Sequence, residues 1–348
     1  MEFAFTEEQE MIRETAAAFL AEVSGSAAVR RAMALEQGYE PALWDRICGE
    51  MYWQAMHVPE AYGGLGLGYV EVVAMMEQMG RYLLCSPFFS TVCLAANALR
   101  VAGSEEQQAM WLGQVCEGKL TATLAFNGGS PRWDAQAITA TWRRDGELYV
   151  LNGEYRYVID GHTAQLLIVA ARAEGSSGAE GISLFLLPAA TAGVTRQWLP
   201  TMDQARKQAS VQLHDVSLVA EALMGEPGQA GKALATVIDL AAIALAAEQV
   251  GGCQQLLDMT VAYTSERVQF NRTIASYQAV KHKAADMMLK TEVARSAIYY
   301  AACVAQEALE GGPLAGELSE AASVAKSYCS DAYFAIAGDA LQLFGGVG

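Results

Sequence analysis

The stretch SERVQFNRTIASYQAVKHKAADM at residues 265–287 decides the reading of this chain. It sets Arg267, Gln269, Phe270 and Gln278 close together near the end of a mostly helical sequence. Arg267 falls near the C-terminal end of one long helical pattern, FNRTIAS reads as a connection, and Ser276 is a good N-cap for the next helix. That helix carries Val280, Ala284, Met287 and Met288 on one face. Gln278 falls in its first turn, where unpaired backbone N–H groups point outward. A helix N-terminus beside an arginine fork suits a phosphate or diphosphate. The same residues also admit a plain structural role, with Arg267 capping a helix or pairing with Glu266 or Asp258 and Gln278 decorating a surface. Asn271 follows Phe270 and tolerates left-handed backbone better than most residues.

Upstream, TEEQEMIRETAAAFLAEV opens with Thr6 as an N-cap and Glu7 and Glu8 at the positive end of the helix dipole. Met11, Ala16, Phe19 and Leu20 recur at helical spacing. PEAYGGLGLG at 59–68 breaks that pattern, as a tight loop or one that touches substrate, before YVEVVAMMEQMGRYL resumes it. Near Leu120 the pattern shifts to short alternating runs such as ELYVLNG, LLIVAA and ISLFLLP, separated by Gly, Asp, Asn and Pro. From Gly228 it is helical again. The expected architecture is α+β and multidomain. It has an N-terminal helical domain over 1–117, a β-sandwich or small barrel over 118–225, and a C-terminal helical bundle over 226–348.

Of the 348 residues, 53% are hydrophobic and 18% charged, the balance of a globular protein. The formal charge of −16 argues against nucleic acid or an anionic membrane as main partner. The longest apolar run, around 237–250, is interrupted by Asp239 and Glu248, so no membrane span is expected. MEFAFTEEQE lacks the basic start of a secretory signal. The 7 cysteines form no CxxC pair and the four histidines lie far apart, so a cytoplasmic protein with reduced thiols and no metal site is expected.

With these motifs in hand, the chain resembles the acyl-CoA dehydrogenase flavoproteins along its whole length. The resemblance rests on VPEAYGGLGLGYVEVVAMMEQMGR, LNGEYRYVIDG, ERVQFNRTIASYQAVKHKAADM and ALQLFGGVG. It implies FAD as cofactor, an acyl-CoA thioester as substrate and an electron-transfer flavoprotein as acceptor. It also implies that Arg267, Phe270, Gln278, Gln342, Gly345 and Gly346 touch the FAD of a neighbouring subunit. Glycines there let backbone approach a cofactor, and Arg267 supplies charge for the diphosphate. The family continues beyond this motif with another helix, so the C-terminal domain is expected to be incomplete at Gly348.

The sequence departs from the family where a subunit holds its own flavin. The usual TEPxxGSD reads FNGGSPRWD, with Asn127 for threonine and Trp133 for serine. The usual WITNG reads YVIDG, with Tyr157 for tryptophan and Ile159 for a threonine that hydrogen-bonds near the flavin. Dehydrogenation also needs a carboxylate to remove the α-proton. In one branch of the family that residue falls where this chain has Ala241, and in another it falls beyond Gly348. The nearest upstream carboxylate, Asp239, lies in an apolar run that would suit a base, or it is a helix-start or paired core residue.

A chain that keeps the contacts given to a neighbour and loses those given to itself is expected to act as one subunit of a heterotetramer. Some bacterial relatives, including those acting on steroid side-chain CoA thioesters, resemble this: two unlike, related subunits carrying half the usual flavins. The alternatives are a homotetramer with an atypical flavin pocket, a catalytically silent structural subunit and, more distantly, a flavin monooxygenase on the same fold. The acyl group, fatty or steroid, is not readable. The small residues Ala241, Ala242, Ala244, Ala246 and Ala247 suit either a bulky chain or close helix packing.

Overall fold

In the computed structural model, which describes residues 6–348, Thr6 caps the first helix as its side chain predicts. Its Oγ1 accepts the Gln9 N–H at 3.2 Å and the Gln9 side chain accepts the Thr6 N–H at 3.0 Å, a capping box. The helix α1 (Glu7–Val23) is followed by α2 (Ser26–Ala34), α3 (Pro41–Arg46), α4 (Tyr69–Arg81), α5 (Asn97–Ala102) and α6 (Glu105–Cys116). Two segments, Ile47–Met51 and Phe89–Ala96, are wound as π-helix. The second is buried along its whole length. Among the described residues the seven cysteines form no disulfide, and six of them are buried.

The β region comprises β1 (Ala122–Ala125), β2 (Thr141–Asp145), β3 (Leu148–Ile159), β4 (Leu166–Ala173), β5 (Ile182–Pro188), β6 (Val194–Leu199), β7 (Gln208–Leu218) and β8 (Leu223–Met224). They form one eight-stranded sheet in the order β6-β7-β3-β2-β4-β5-β8, with β1 parallel to β4. Leu151 and Tyr155 of β3 and Val211 and Leu213 of β7 share a core with Leu167 and Val169 of β4 and Phe185 of β5. One face of the sheet is therefore curled around a common apolar centre. β3 breaks register with β7 between Tyr155 and Val158, and Tyr157 takes φ +59° at this bulge.

The remainder is α7 (Gly231–Glu266), β9 (Val268–Gln269), β10 (Arg272–Thr273), α8 (Gln278–Glu310) and α9 (Leu318–Phe344). By length and mean hydropathy alone α7 would be long enough to span a membrane, because an 18-residue average tolerates Asp239 and Glu248. Half of its most apolar window is buried inside the protein, as in a core helix.

The contacts divide into two units. One comprises the described part of Met1–Ser26, Gly68–Leu84 and Ala242–Gly348; the other comprises Ala27–Leu67 and Cys85–Ala241. In the first, α4 crosses α7 with backbone against backbone. A Cβ on Gly251 would lie 1.8 Å from the Glu77 carbonyl oxygen, and one on Gly80 would lie 1.9 Å from that of Glu248. Glycine at both places sets the closeness of this crossing. Beside it, buried Glu77 accepts from Arg295 (3.2 Å), which also donates to Gln254 (2.8 Å). In the second unit, His57 Nε2–H donates to Asn97 Oδ1 at 2.9 Å, since the Asn97 amide nitrogen is engaged by the Cys93 carbonyl.

Candidate functional site

The 267–278 connection is a β-hairpin. Arg272 pairs with Gln269 and Thr273 with Val268, leaving Phe270 and Asn271 as the two loop residues, with φ +53° and +63°. Left-handed backbone at both positions makes a primed turn whose twist matches the strands. Asn271 suits this conformation; Phe270 does not, yet its ring is 88% exposed. An aromatic that is strained and also unburied gains nothing from its own chain.

Arg267 follows the last residue of α7. Its N–H donates to the Tyr263 carbonyl and its own carbonyl accepts from Ile274, so its backbone closes the hairpin. Its side chain is exposed, and among the described residues no ion pair holds it. Asp258, a partner expected from spacing, is taken by Arg81 at 2.7 Å. Ser276 does not cap α8: its hydroxyl donates to the Thr273 carbonyl at 2.6 Å, and the N-cap is Tyr277, which offers no side-chain acceptor. Gln278 is the first residue of this 33-residue helix, which therefore starts with its first-turn donors uncapped by any side chain.

The C-terminal end of α9 lies against the root of the hairpin. Tyr263 stacks on Phe344 with ring centroids 4.4 Å apart and planes at 9°, and its hydroxyl donates to the Phe344 carbonyl at 3.3 Å. Gln342 is exposed. Gly345 adopts φ +66°, ψ −135°, a conformation essentially restricted to glycine. A Cβ on Gly345 or Gly346 would meet no atom of this chain. Internal packing does not demand glycine at 346, and both peptides are open to close approach. The Tyr263–Phe344 contact thus joins the end of α7, which leads into Arg267, to the end of α9, which carries Gln342 and leads into Gly345 and Gly346, with Phe270 at the hairpin tip and Gln278 at the start of α8.

Sequence reasoning missed two members of this edge, Arg272 and Tyr263. Arg272 places a second guanidinium over the Tyr277 ring at 3.7 Å, a cation–π contact that orients it beside the α8 N-terminus. Tyr263 went unmarked because its partner lies 81 positions away. The adjacent cation in FNRT was the one available signal.

In the other unit, the 127–134 loop is closed on itself. Asn127 Nδ2 donates to the carbonyls of Ser130 (2.9 Å) and Arg132 (3.0 Å), and its Oδ1 accepts the Gly129 N–H at 2.7 Å. Trp133 projects from this loop, 67% exposed, and Tyr157 is 53% exposed. Ile159 offers only its carbonyl, which accepts from Thr123 Oγ1 at 2.7 Å. Asp239 is half-buried in α7 rather than enclosed in its apolar run, because Leu240 and Ala241 take the buried side.

Family models of the acyl-CoA dehydrogenase N-terminal, middle and C-terminal domains match residues 6–119, 127–216 and 231–348 in order. The chain belongs to the acyl-CoA dehydrogenase family. It is 31% identical over 342 residues to the acyl-CoA dehydrogenase IpdE2 of Mycolicibacterium smegmatis, covering 98% of this chain and 88% of that one. The ChsE4-ChsE5 complex of Mycobacterium tuberculosis contains a chain that superposes with a TM-score of 0.87 at 26% identity, over 100% of this chain and 89% of that one. A chain of the Tcur3481-Tcur3483 steroid ACAD gives 0.84 at 28%, covering 98% and 88%.

An acyl-CoA dehydrogenase is an FAD-dependent oxidoreductase. The residues fit that cofactor on one side. The hairpin and α9 edge has an arginine with no ion pair among the described residues, an uncapped helix start and open glycine peptides, donors of the kind that suit an FAD diphosphate. The 127–134 and 157–160 segments fit poorly, since Asn127 is spent on its own loop and Ile159 has no hydroxyl.

Proposed function

We propose that this chain is one subunit of a heterotetrameric acyl-CoA dehydrogenase, giving its edge to an FAD held chiefly by a related but unlike subunit. FAD, when bound, accepts the β-hydride of the thioester. In this reading the Arg267 guanidinium and the first-turn N–H groups of α8 bind the diphosphate. Gln278 and Gln342 orient it, Gly345 and Gly346 admit it, and the exposed Phe270 ring covers it from water. The observation that carries the reading is the contrast between an edge with no internal use and a loop whose Asn127 is fully used internally. Two of the similar structures are named for pairs of proteins, which supports a heteromeric assembly.

The substrate we propose is a bulky acyl-CoA, fatty or steroid, the steroid arm resting on the likeness to a steroid ACAD. Because Asp239 is not enclosed, the α-proton is assigned to a carboxylate of the partner, and the acceptor to an electron-transfer flavoprotein. The test is a screen of CoA thioesters with the co-expressed complex, reading acceptor reduction, alongside the Asp239→Asn variant. Turnover of a steroid side-chain thioester with Asp239→Asn unimpaired is expected. Loss of turnover at unchanged flavin content would return the base to Asp239.

A further inference from the structure

The hairpin register places two guanidinium groups on one side of the ribbon. Residues opposite each other across a two-stranded ribbon share a face, and successive residues alternate between faces. Gln269 and Arg272 are one such pair, and Val268 and Thr273 the next. Arg267, whose carbonyl accepts from the Ile274 N–H, comes one position further and so returns to the face of Arg272. The Arg272 guanidinium lies 3.7 Å over the centre of the Tyr277 ring, and Tyr277 is the N-cap of α8. A ring engages the flat face of a guanidinium and leaves the N–H groups at its edge free to donate. Among the described residues no ion pair or hydrogen bond uses those donors, although Asp and Glu (39) far outnumber Lys and Arg (23) in this chain.

We propose that Arg272 is a second arginine of the FAD diphosphate site, and that Tyr277 is the positioning residue that holds its fork in place. The inference rests on the proposed function, which gives the diphosphate to Arg267 and the start of α8. A diphosphate is doubly charged. Arg267 supplies one positive charge and the helix start roughly half of another, which leaves the ligand's charge incompletely matched. Arg272 closes that deficit, on a chain whose formal charge of −16 otherwise repels an anion. A free arginine side chain loses rotamer freedom when it binds, and one already stacked on Tyr277 has lost part of it beforehand. Tyr277 also precedes the first-turn N–H groups that take the same ligand, so one residue sets the place of both kinds of donor.

The test uses the co-expressed complex and reads the rate of FAD release by fluorescence on dilution, over a range of salt concentrations. Arg272→Gln is expected to release FAD on the order of tenfold faster, the effect of losing a charge-assisted hydrogen bond. Its release is also expected to respond less to salt than that of wild type, because one screened charge is gone. Arg272→Lys keeps the charge without the flat fork and falls between the two. Tyr277→Phe keeps the platform and is expected to match wild type, whereas Tyr277→Leu releases FAD faster with Arg272 still present. The melting temperature of the Arg272→Gln chain purified alone is expected to match wild type. A wild-type release rate and salt response in Arg272→Gln overturn the assignment and leave the proposed function standing. Faster release with a lower melting temperature and an unaltered salt response also overturns it, since Arg272 would then serve the hairpin. A complex that carries no flavin overturns the proposed function, and this inference with it.

Discussion

Tyr263 stacks flat on Phe344 and donates its hydroxyl to the Phe344 carbonyl, tying the end of α7 to the end of α9. This contact gathers the hairpin arginine and the glycine-rich terminus of α9 into one edge. Tyr263→Phe loses one hydrogen bond, about 1 kcal/mol, and keeps the stack. Tyr263→Ala also loses about 1 kcal/mol of ring–ring attraction and the apolar area buried between the rings. Flavin content of the co-expressed complex is expected to stay near wild type in the first variant and to drop in the second.

Phe270→Gly removes both the strained left-handed conformation and the exposed ring. The melting temperature of the chain is expected to be no lower than wild type, while flavin release becomes faster, as read by fluorescence on dilution. Asn271→Val puts a β-branched residue at φ +63° and is expected to cost about 1–2 kcal/mol with no gain elsewhere. A Phe270→Gly chain that melts lower would mean the ring serves the fold and not a ligand.

At the α4–α7 crossing, Gly251→Ala places a methyl inside the van der Waals radius of the Glu77 carbonyl. The helices must separate, and a loss of about 1–3 kcal/mol is expected, measured by urea unfolding. Gly346→Ala, whose Cβ meets nothing, is expected to leave stability unchanged and to reduce flavin content.

His57 gives the fold an acid limit. Complete burial pushes its pKa down to about 3, with the Arg100 charge acting the same way and the Asn97 hydrogen bond opposing it. The folded chain therefore binds fewer protons than the unfolded one between that value and the ordinary imidazole value, and stability falls as pH falls through this window. The loss is on the order of 4 kcal/mol. His57→Gln should flatten the decline in unfolding midpoint between neutral pH and about pH 4. Asp160, whose burial pushes its pKa up to about 6, acts with the opposite sign, so the comparison is cleanest in an Asp160→Asn background.

The helical and strand character of the chain was legible because local patterning sets it: the Thr6 cap, the alternating runs after Leu120, and Gln278 at a helix start. Ser276 was misread as the cap because a serine before a helix does not reveal whether its hydroxyl turns forward to the helix or back to the hairpin. The half-exposure of Asp239 was hidden for a similar reason, since an apolar run does not say which face of a long helix is covered. The site motif was legible as residue types, but its assembly rests on Tyr263 and Phe344, whose pairing leaves no local trace. The π-winding of Phe89–Ala96 arises from tertiary packing that no short window of sequence records.

The central claim is that this chain completes an FAD site belonging to an unlike subunit, and counting flavin per chain tests it most directly. The chain should be purified alone and with its related subunit, with subunit composition fixed by native mass spectrometry and FAD released and quantified. The account predicts little FAD on the chain alone and one FAD for every two chains in the mixed tetramer. A homotetramer carrying one FAD per chain with full acyl-CoA dehydrogenase activity would contradict it.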